Sequence, residues 1–216
     1  MPESLIIPDW PVPENVIAGT TTRETSDAVL PVGVALLNQV HGATVVNAGQ
    51  VRGSPEPLSA DAVTGFEAGD ICAVRTADCL PVLFCSVDGQ QIAAAHAGWR
   101  GLAGGVLENT VAAMQCPAGD LMAWLGPAIS QANFEVGAEV CEAFTSANVA
   151  AQEMFAPNDR GRWQADLYGL ARLRLHNCGV GAIYGGGWCT YDEEERFFSY
   201  RRAADTGRMV SFVALK

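Results

Sequence analysis

Hydrophobic residues along the chain fall first into short strand-like runs and then into repeats with helical spacing. Apolar runs predict strands at about 71–75 and 82–86, and another at QQIAAAH, residues 90–96. The Asp-Gly pair between the last two runs is typical of a hairpin turn. By contrast, segment 51–65 is rich in Gly, Pro and Ser and is predicted to be a loop. A strand followed by a hairpin is therefore expected in the middle of the chain.

Three helices are predicted from apolar residues that recur every three or four positions. The first covers 104–115, and apolar positions between 136 and 144 mark the second. The third begins near Asp166, a residue type that caps helix N-termini, and Gly179 lies just beyond its end. Later strands are expected at 121–125, 182–186 and 209–215, with a charged loop at 192–208.

Strands and helices follow one another without the regular alternation of a doubly wound sheet, so an α+β fold is favoured. The chain has 216 residues, of which 49% are hydrophobic, and this suits one globular domain with a sizeable core. We therefore expect a single domain that spans residues 1–216.

Charge and composition exclude several classes of function. The net charge of −11 argues against non-specific binding to nucleic acid or to an anionic membrane. No apolar run approaches the roughly 18 residues of a membrane span, and the N-terminus lacks the features of a signal peptide. A cytoplasmic protein is therefore expected. Its seven cysteines, an odd number without a C-x-x-C pair, are expected to be mostly buried thiols.

Three residues with metal-binding side chains each follow an apolar, strand-like run. His41 and His96 close such runs and precede small residues, which leave room beside each imidazole. Cys79 stands on a turn after a third run. One ligand from each of three strand ends matches an open zinc site. The same atoms also suit a Cys79 nucleophile with a histidine base, or buried side chains without a catalytic role. His176 differs, because the last turn of a helix favours a structural role.

Seven sequence blocks occur in a fixed order along the chain: LNQVHGATVV, ADAVTG, RTADCLPVLF, AAAHAGWRGLAGG, LGPAIS…FEVGAEV, ADLYGLAR and FFSYRRAADTGRM. Together they resemble the laccase-domain family, whose members are described as multicopper polyphenol oxidases and as purine nucleoside phosphorylases with adenosine deaminase activity. The resemblance runs from about residue 20 to the C-terminus. The TADC and HAGWRG blocks are the most specific. The resemblance implies a layered α/β/β/α arrangement with mixed β-sheets, and a zinc ion held by His41, Cys79 and His96.

The resemblance also implies two reactions in one pocket. These are phosphorolysis of adenosine, inosine and methylthioadenosine, and deamination of adenosine. The partners would be purine nucleosides and phosphate, bound by a monomer or a weak homodimer. The usual zinc-deaminase signature, H-x-E with P-C-x-x-C, is absent, so any deamination here would be independent of that fold.

Residues beside the three candidate ligands receive roles on this basis. Asp78 is either a proton carrier or a carboxylate that orients a ligand histidine. Gln39, two residues before His41, would share its strand face and read a base or ribose edge. Arg100 is the foremost phosphate ligand, with a structural salt bridge as the alternative, and Trp99 either stacks on a purine or packs in the core. Further candidate arginines are Arg23, Arg75, Arg201, Arg202 and Arg208.

Three alternative functions remain open at this point. A copper polyphenol oxidase fits poorly, because three histidines are too few for a multicopper cluster, although copper could occupy a Cys/His₂ site. A hydrolase that uses Cys79 as a thiolate predicts metal-independent activity and inhibition by alkylation. A non-catalytic nucleoside-binding protein is the third. The chain also departs from the family pattern in a shorter block after Arg23, in Ala203-Ala204 and in Trp188.

Overall fold

The computed structural model describes residues 5–25 and 29–216. The start of the N-terminal segment, residues 1–4, and residues 26–28 of the shortened block after Arg23 lie outside the described part. The strands are β1 (Leu5–Ile6), β2 (Val16–Thr21), β3 (Val45–Asn47), β4 (Ala62–Gly65), β5 (Ile71–Thr76), β6 (Leu80–Ser86), β7 (Ile92–Ala97), β8 (Leu121–Leu125), β9 (Glu135–Val136), β10 (Phe155–Pro157), β11 (Trp163–Ala165), β12 (Ala182–Gly185) and β13 (Met209–Leu215). The helices are α1 (Ala48–Gly53), α2 (Trp99–Ala103), α3 (Val106–Ala113), α4 (Ala138–Thr145) and α5 (Leu167–Asn177).

The strands form three sheets. The largest has six strands in the order β12-β8-β6-β7-β4-β3, with parallel pairs at its two edges and antiparallel pairs between them. A four-stranded antiparallel sheet has the order β1-β2-β13-β5, and a small one has the order β10-β11-β9. The predicted single-domain α+β fold with mixed β-sheets is confirmed.

Alternating side chains of the six-stranded sheet build two cores. In β6, Val82 and Phe84 pack on the helix side, while Leu83 and Cys85 pack against the four-stranded sheet. Successive side chains of a strand point to opposite faces, so a strand covered on both sides is apolar throughout. This explains why β6 is buried along its whole length. The helices, the large sheet and the four-stranded sheet are therefore stacked as three layers.

The outer face of the four-stranded sheet carries an irregular segment where the layered arrangement places a second set of helices. Leu30, Val34 and Leu36 cover this face. Within that segment Gly33 has a φ of +88°, and Pro31 accepts a turn hydrogen bond through its carbonyl. These two residues interrupt the backbone pattern of a helix, so the fourth layer is not helical in the described residues.

Most predicted elements are confirmed, including the β6–β7 hairpin, the three later strands and the cap of α5, where Asp166 accepts a hydrogen bond from the first turn. Three predictions are corrected. Segment 51–65 is not all loop, because a capping box at Asn47 starts α1 and β4 pairs between β3 and β7. The helix expected at 104–115 is shorter, Val106–Ala113, because it begins only after Gly105, whose φ is +92°. Val136 lies in β9 because α4 begins only after Gly137.

In the described part of the chain, no helix is long and apolar enough to cross a membrane.

Candidate metal centre and its cavity

The structure brings His41, Cys79 and His96 together, and we refer to them as the His/Cys/His cluster. In the β6–β7 pair Pro81 lies opposite His96, so Cys79, which immediately precedes β6, falls at the same open end of the hairpin. His41 reaches this end from the loop before β3. The possible ligand atoms of the three side chains lie within 4.8 Å of one another. Two imidazoles and one thiol at this spacing form a donor set suited to a metal ion.

The predicted strand before His41 is not formed. Asn38 makes only an isolated bridge to Ser59, and His41 itself has a φ of +59°. Asp78, next to Cys79, has a φ of +88°, and these are the two non-glycine residues with positive φ in the described residues. His and Asp tolerate this conformation better than most residues, but it still costs free energy. Backbone strain is thus concentrated at the cluster.

Two glycines allow the elements to approach closely at the cluster. A Cβ on Gly98 would lie 2.9 Å from the Cys79 Sγ and 3.1 Å from the His41 Cδ2. A Cβ on Gly101 would lie 2.6 Å from the carbonyl oxygen of Gly42. Such contacts are too short for any side chain at either position, so the glycines of the HAGWRG block make room for the cluster.

Asp61 is part of the site although the sequence did not point to it. This fully buried residue directly precedes β4, and its Oδ1 accepts hydrogen bonds from the His96 Nδ1 at 2.8 Å and the His41 amide at 2.9 Å. Its Oδ2 accepts from the Gly42 amide at 2.7 Å. The signal in the sequence is an acidic residue at the start of the apolar run AVTG, which lies inside the segment 51–65 that is predicted to be a loop.

Interactions within the cluster lower the pKa of Cys79 and raise the pKa of His96. Burial alone would raise the pKa of the Cys79 thiol, but hydrogen bonds with His41 and His96 outweigh it and lower the pKa to about 7. Burial would likewise lower the pKa of His96, but Asp61 and Cys79 raise it to about 9. Without a metal the cluster therefore favours a thiolate beside an imidazolium, and the thiolate is the form of cysteine that binds metals.

A cavity of about 930 Å³ opens onto the cluster. Its wall includes Arg75, Arg100, Arg201, Arg208, Trp99 and Tyr200. The Arg100 guanidinium stacks on the neighbouring Trp99 ring at 4.4 Å, and that of Arg201 lies 5.5 Å from the Phe134 ring centroid. Stacking on an aromatic face orients a guanidinium without using its N–H donors, and of the Arg201 donors Nη1 is bonded to the Glu135 carbonyl at 3.1 Å. The cavity is therefore rich in positive charge within an acidic protein.

The other predicted site residues differ in what they contact. The Gln39 amide is paired with the backbone of Arg75 at 2.7 and 2.8 Å. This pairing, rather than a shared strand face with His41, places Gln39 at the cavity wall. Arg23 does not line the cavity; it donates to the carbonyl of Glu194 at 3.1 Å.

Asp78 lines the cavity, but both of its carboxylate oxygens are engaged. Oδ1 accepts from the Thr190 hydroxyl and Oδ2 accepts from the Arg201 amide, each at 2.6 Å. Asp78 therefore holds the 192–208 loop, whereas the carboxylate that contacts a cluster histidine belongs to Asp61. Arg202 is turned into the loop, where it donates to three backbone carbonyls. His176 lies exposed in the last turn of α5, as predicted.

Fold and site together define an α+β protein with a His/Cys/His cluster at the base of an arginine-lined cavity. The chain belongs to the family described as multi-copper polyphenol oxidoreductase laccase, whose model matches residues 13–216. A protein of Pseudomonas aeruginosa named purine nucleoside phosphorylase is 44% identical, with 98% of each chain covered. The purine nucleoside phosphorylase YfiH of Escherichia coli K12 is also 44% identical with 98% of each chain covered.

The fold is shared with solved structures of related proteins. A crystal structure of a Neisseria meningitidis protein matches with a TM-score of 0.92 and 45% identity, covering 99% of this chain and 100% of that one. The structure of YlmD from Geobacillus stearothermophilus matches with a TM-score of 0.87 and 25% identity, covering 100% and 97%. The alignment with the Pseudomonas protein spans 241 positions, more than the 216 residues here, so that relative carries residues without a counterpart in this chain.

Proposed function

We propose that the protein is a zinc-dependent purine nucleoside phosphorylase that acts on adenosine, inosine and methylthioadenosine and also deaminates adenosine. The names of the two 44% identical relatives support the phosphorylase reaction. The observation that carries the proposal is the arginine-lined cavity that opens onto the His/Cys/His cluster. Phosphate needs a positively charged wall, and the reaction on the nucleoside needs a group that polarises it. In this cavity the arginines and the His/Cys/His cluster lie side by side.

The residues present fit a zinc ion. Two imidazole nitrogens and one thiolate leave a fourth position open, which is the arrangement of catalytic zinc sites. When bound, zinc would act as a Lewis acid and lower the pKa of a bound water toward ~7. The same Cys/His₂ donor set also accepts copper, which would account for the metal in the family's name.

In phosphorolysis the arginines would bind the attacking phosphate. Phosphate attacks C1′ of the ribose, the bond from C1′ to the purine nitrogen breaks, and the purine leaves with a proton as ribose 1-phosphate forms. A planar guanidinium binds two phosphate oxygens at once, and Arg100 and Arg201 are the candidates because aromatic rings hold both. The exposed ring of Tyr200 in the same wall offers a face for the purine.

In this proposal the remaining predicted residues support the site indirectly. Asp78 acts by holding the Arg201 backbone rather than by carrying a proton, because both of its oxygens already accept short hydrogen bonds. Gln39 and Arg75 act as one unit of the cavity wall. Deamination, which replaces the C6 amino group with oxygen from water and releases ammonia, would draw its proton transfers from the cluster and solvent.

The test is chromatography of adenosine incubated with the purified protein, with and without phosphate. Adenine and ribose 1-phosphate are expected only with phosphate, and inosine is expected in both samples. Cys79→Ala should abolish both reactions. The matched control is Cys116→Ala, since Cys116 lies near Asp88 at the far end of the hairpin. No turnover of adenosine would refute the proposal, and activity that survives metal removal but not alkylation would favour the cysteine hydrolase.

A further inference from the structure

One buried carboxylate touches both histidine-bearing segments of the cluster. The Asp61 side chain accepts hydrogen bonds from the ring of His96 and from the backbone amides of His41 and Gly42. Its backbone is tied to the same strand, because the His96 amide donates to the Asp61 carbonyl at 2.7 Å. Asp61 is thus joined to His96 through both its side chain and its backbone.

The groups that compensate the buried charge of Asp61 indicate its role. A buried charge is costly unless hydrogen bonds or an opposite charge compensate it. Among the described residues, the cationic partner within ion-pair distance is His96 itself. The other donors are the backbone amides of Val40, His41 and Gly42, which surround the positive-φ position of His41. The hydrogen bonds that the Asp61 carboxylate accepts therefore come from His96 and from the backbone of residues 40–42.

We infer that Asp61 is the positioning residue of the metal centre, acting on both histidines at once. It holds the proton of His96 on Nδ1, which leaves Nε2 as the metal-binding atom. It also compensates the strained backbone of His41 through the three amides of residues 40–42 and so keeps that imidazole aimed at Cys79. This inference rests on the proposed metal centre, and it explains how three segments that are distant in sequence bring their side chains together.

The first test compares zinc affinity in Asp61→Asn and Asp70→Asn by competition with a chromophoric chelator. Asp70 is the matched control, because it is equally buried and accepts from the Phe66 and Glu67 amides, but it contacts Arg52 instead of the cluster. Loss of such a supporting carboxylate typically weakens metal affinity by about 10–100-fold. Asp61→Asn should show this loss, and Asp70→Asn should stay within about twofold of the unchanged protein.

The second test needs no variant and so remains informative if Asp61→Asn fails to fold. A long-range ¹H–¹⁵N spectrum of the histidines in the zinc-loaded protein should show His96 protonated on Nδ1 and bound through Nε2. Binding through Nδ1, or unchanged zinc affinity in a folded Asp61→Asn, would overturn the inference and leave the proposed function standing. Absence of zinc binding by the unmodified protein would overturn both.

Discussion

Replacing Asp78 separates two explanations of why an acidic residue adjoins Cys79. Its carboxylate accepts 2.6 Å hydrogen bonds from the buried Thr190 hydroxyl and from the Arg201 amide, and only 9% of the residue is exposed. If Asp78 carries a proton, its loss should lower kcat and change the pH profile. If it holds the loop that bears Arg201, its loss should weaken phosphate binding.

The magnitude follows from the two bonds. A hydrogen bond to a charged group contributes about 1.5–3 kcal/mol, and less where water can replace it. Asp78→Ala removes both acceptors, and alanine tolerates the φ of +88° poorly, so we expect the free energy of unfolding to fall by about 2–4 kcal/mol. Asp78→Asn keeps one acceptor and tolerates that φ, so we expect the free energy of unfolding to fall by about 1–2 kcal/mol. In a chain of this size the alanine variant should melt roughly 5–15 °C lower.

The assay is steady-state phosphorolysis at several pH values, together with thermal unfolding and a zinc titration. For Asp78→Asn we expect a KM for phosphate raised several-fold, a nearly unchanged kcat and unchanged zinc affinity. Asp88→Asn is the matched control, since Asp88 also accepts from a hydroxyl and a backbone amide, but at the far end of the hairpin. A large fall in kcat with an altered pH profile and a constant KM would refute the loop-holding role.

Three further predictions test the site and its scaffold. Gly98→Ala should lower zinc affinity at least tenfold without lowering the helical circular dichroism signal, because the new Cβ would meet Cys79 and His41 at 2.9 and 3.1 Å; unchanged affinity would contradict this packing. In metal-free protein, iodoacetamide should modify Cys79 faster as pH rises through about 7, because the pKa of this thiol is lowered to about 7. Cys85, with a pKa raised to about 12, should stay unmodified. Peptide mass spectrometry gives both rates, and equal rates would argue against the lowered pKa of Cys79. Asp166→Ala should cost about 1 kcal/mol by removing the N-cap of α5, seen as a lower melting temperature with intact zinc affinity.

The sequence predicted the elements well where one residue pattern decides the structure. The β6–β7 hairpin follows from its Asp-Gly turn and its apolar strands, and the start of α5 follows from the cap at Asp166. The pattern does not reveal α1, because this short helix begins at a capping box and has no apolar face long enough to recognise. The pattern places Val136 in α4, because a two-residue strand has too few positions to reveal its period.

The candidate site was only partly predictable for a different reason. His41, Cys79 and His96 carry side chains whose chemistry is visible in any sequence, but their long separation leaves their roles open, and it is the family resemblance that implies their meeting. Asp61 acts only through where its oxygens point, and that depends on the pairing of β4 with β7. The position of Asp78 beside Cys79 predicts a role for it, but its partners in the 190–201 region are more than a hundred residues away in sequence. Such long-range hydrogen bonds leave no local pattern.

Two buried carboxylates, those of Asp61 and Asp78, hold opposite ends of the site in place. Asp61 binds the segments that present the histidines, and Asp78 binds the loop that presents Arg201. Cys79 lies between these functions, because it follows Asp78 in the chain and contacts His41 and His96 in space. Under the proposed function, a displacement of residues 78–79 would therefore disturb both the His/Cys/His cluster and the proposed phosphate-binding arginines, whereas a change at Asp61 acts directly on the cluster alone. The left-handed backbone at Asp78 costs free energy, and it lets two consecutive residues, Asp78 and Cys79, contact the two ends of the site.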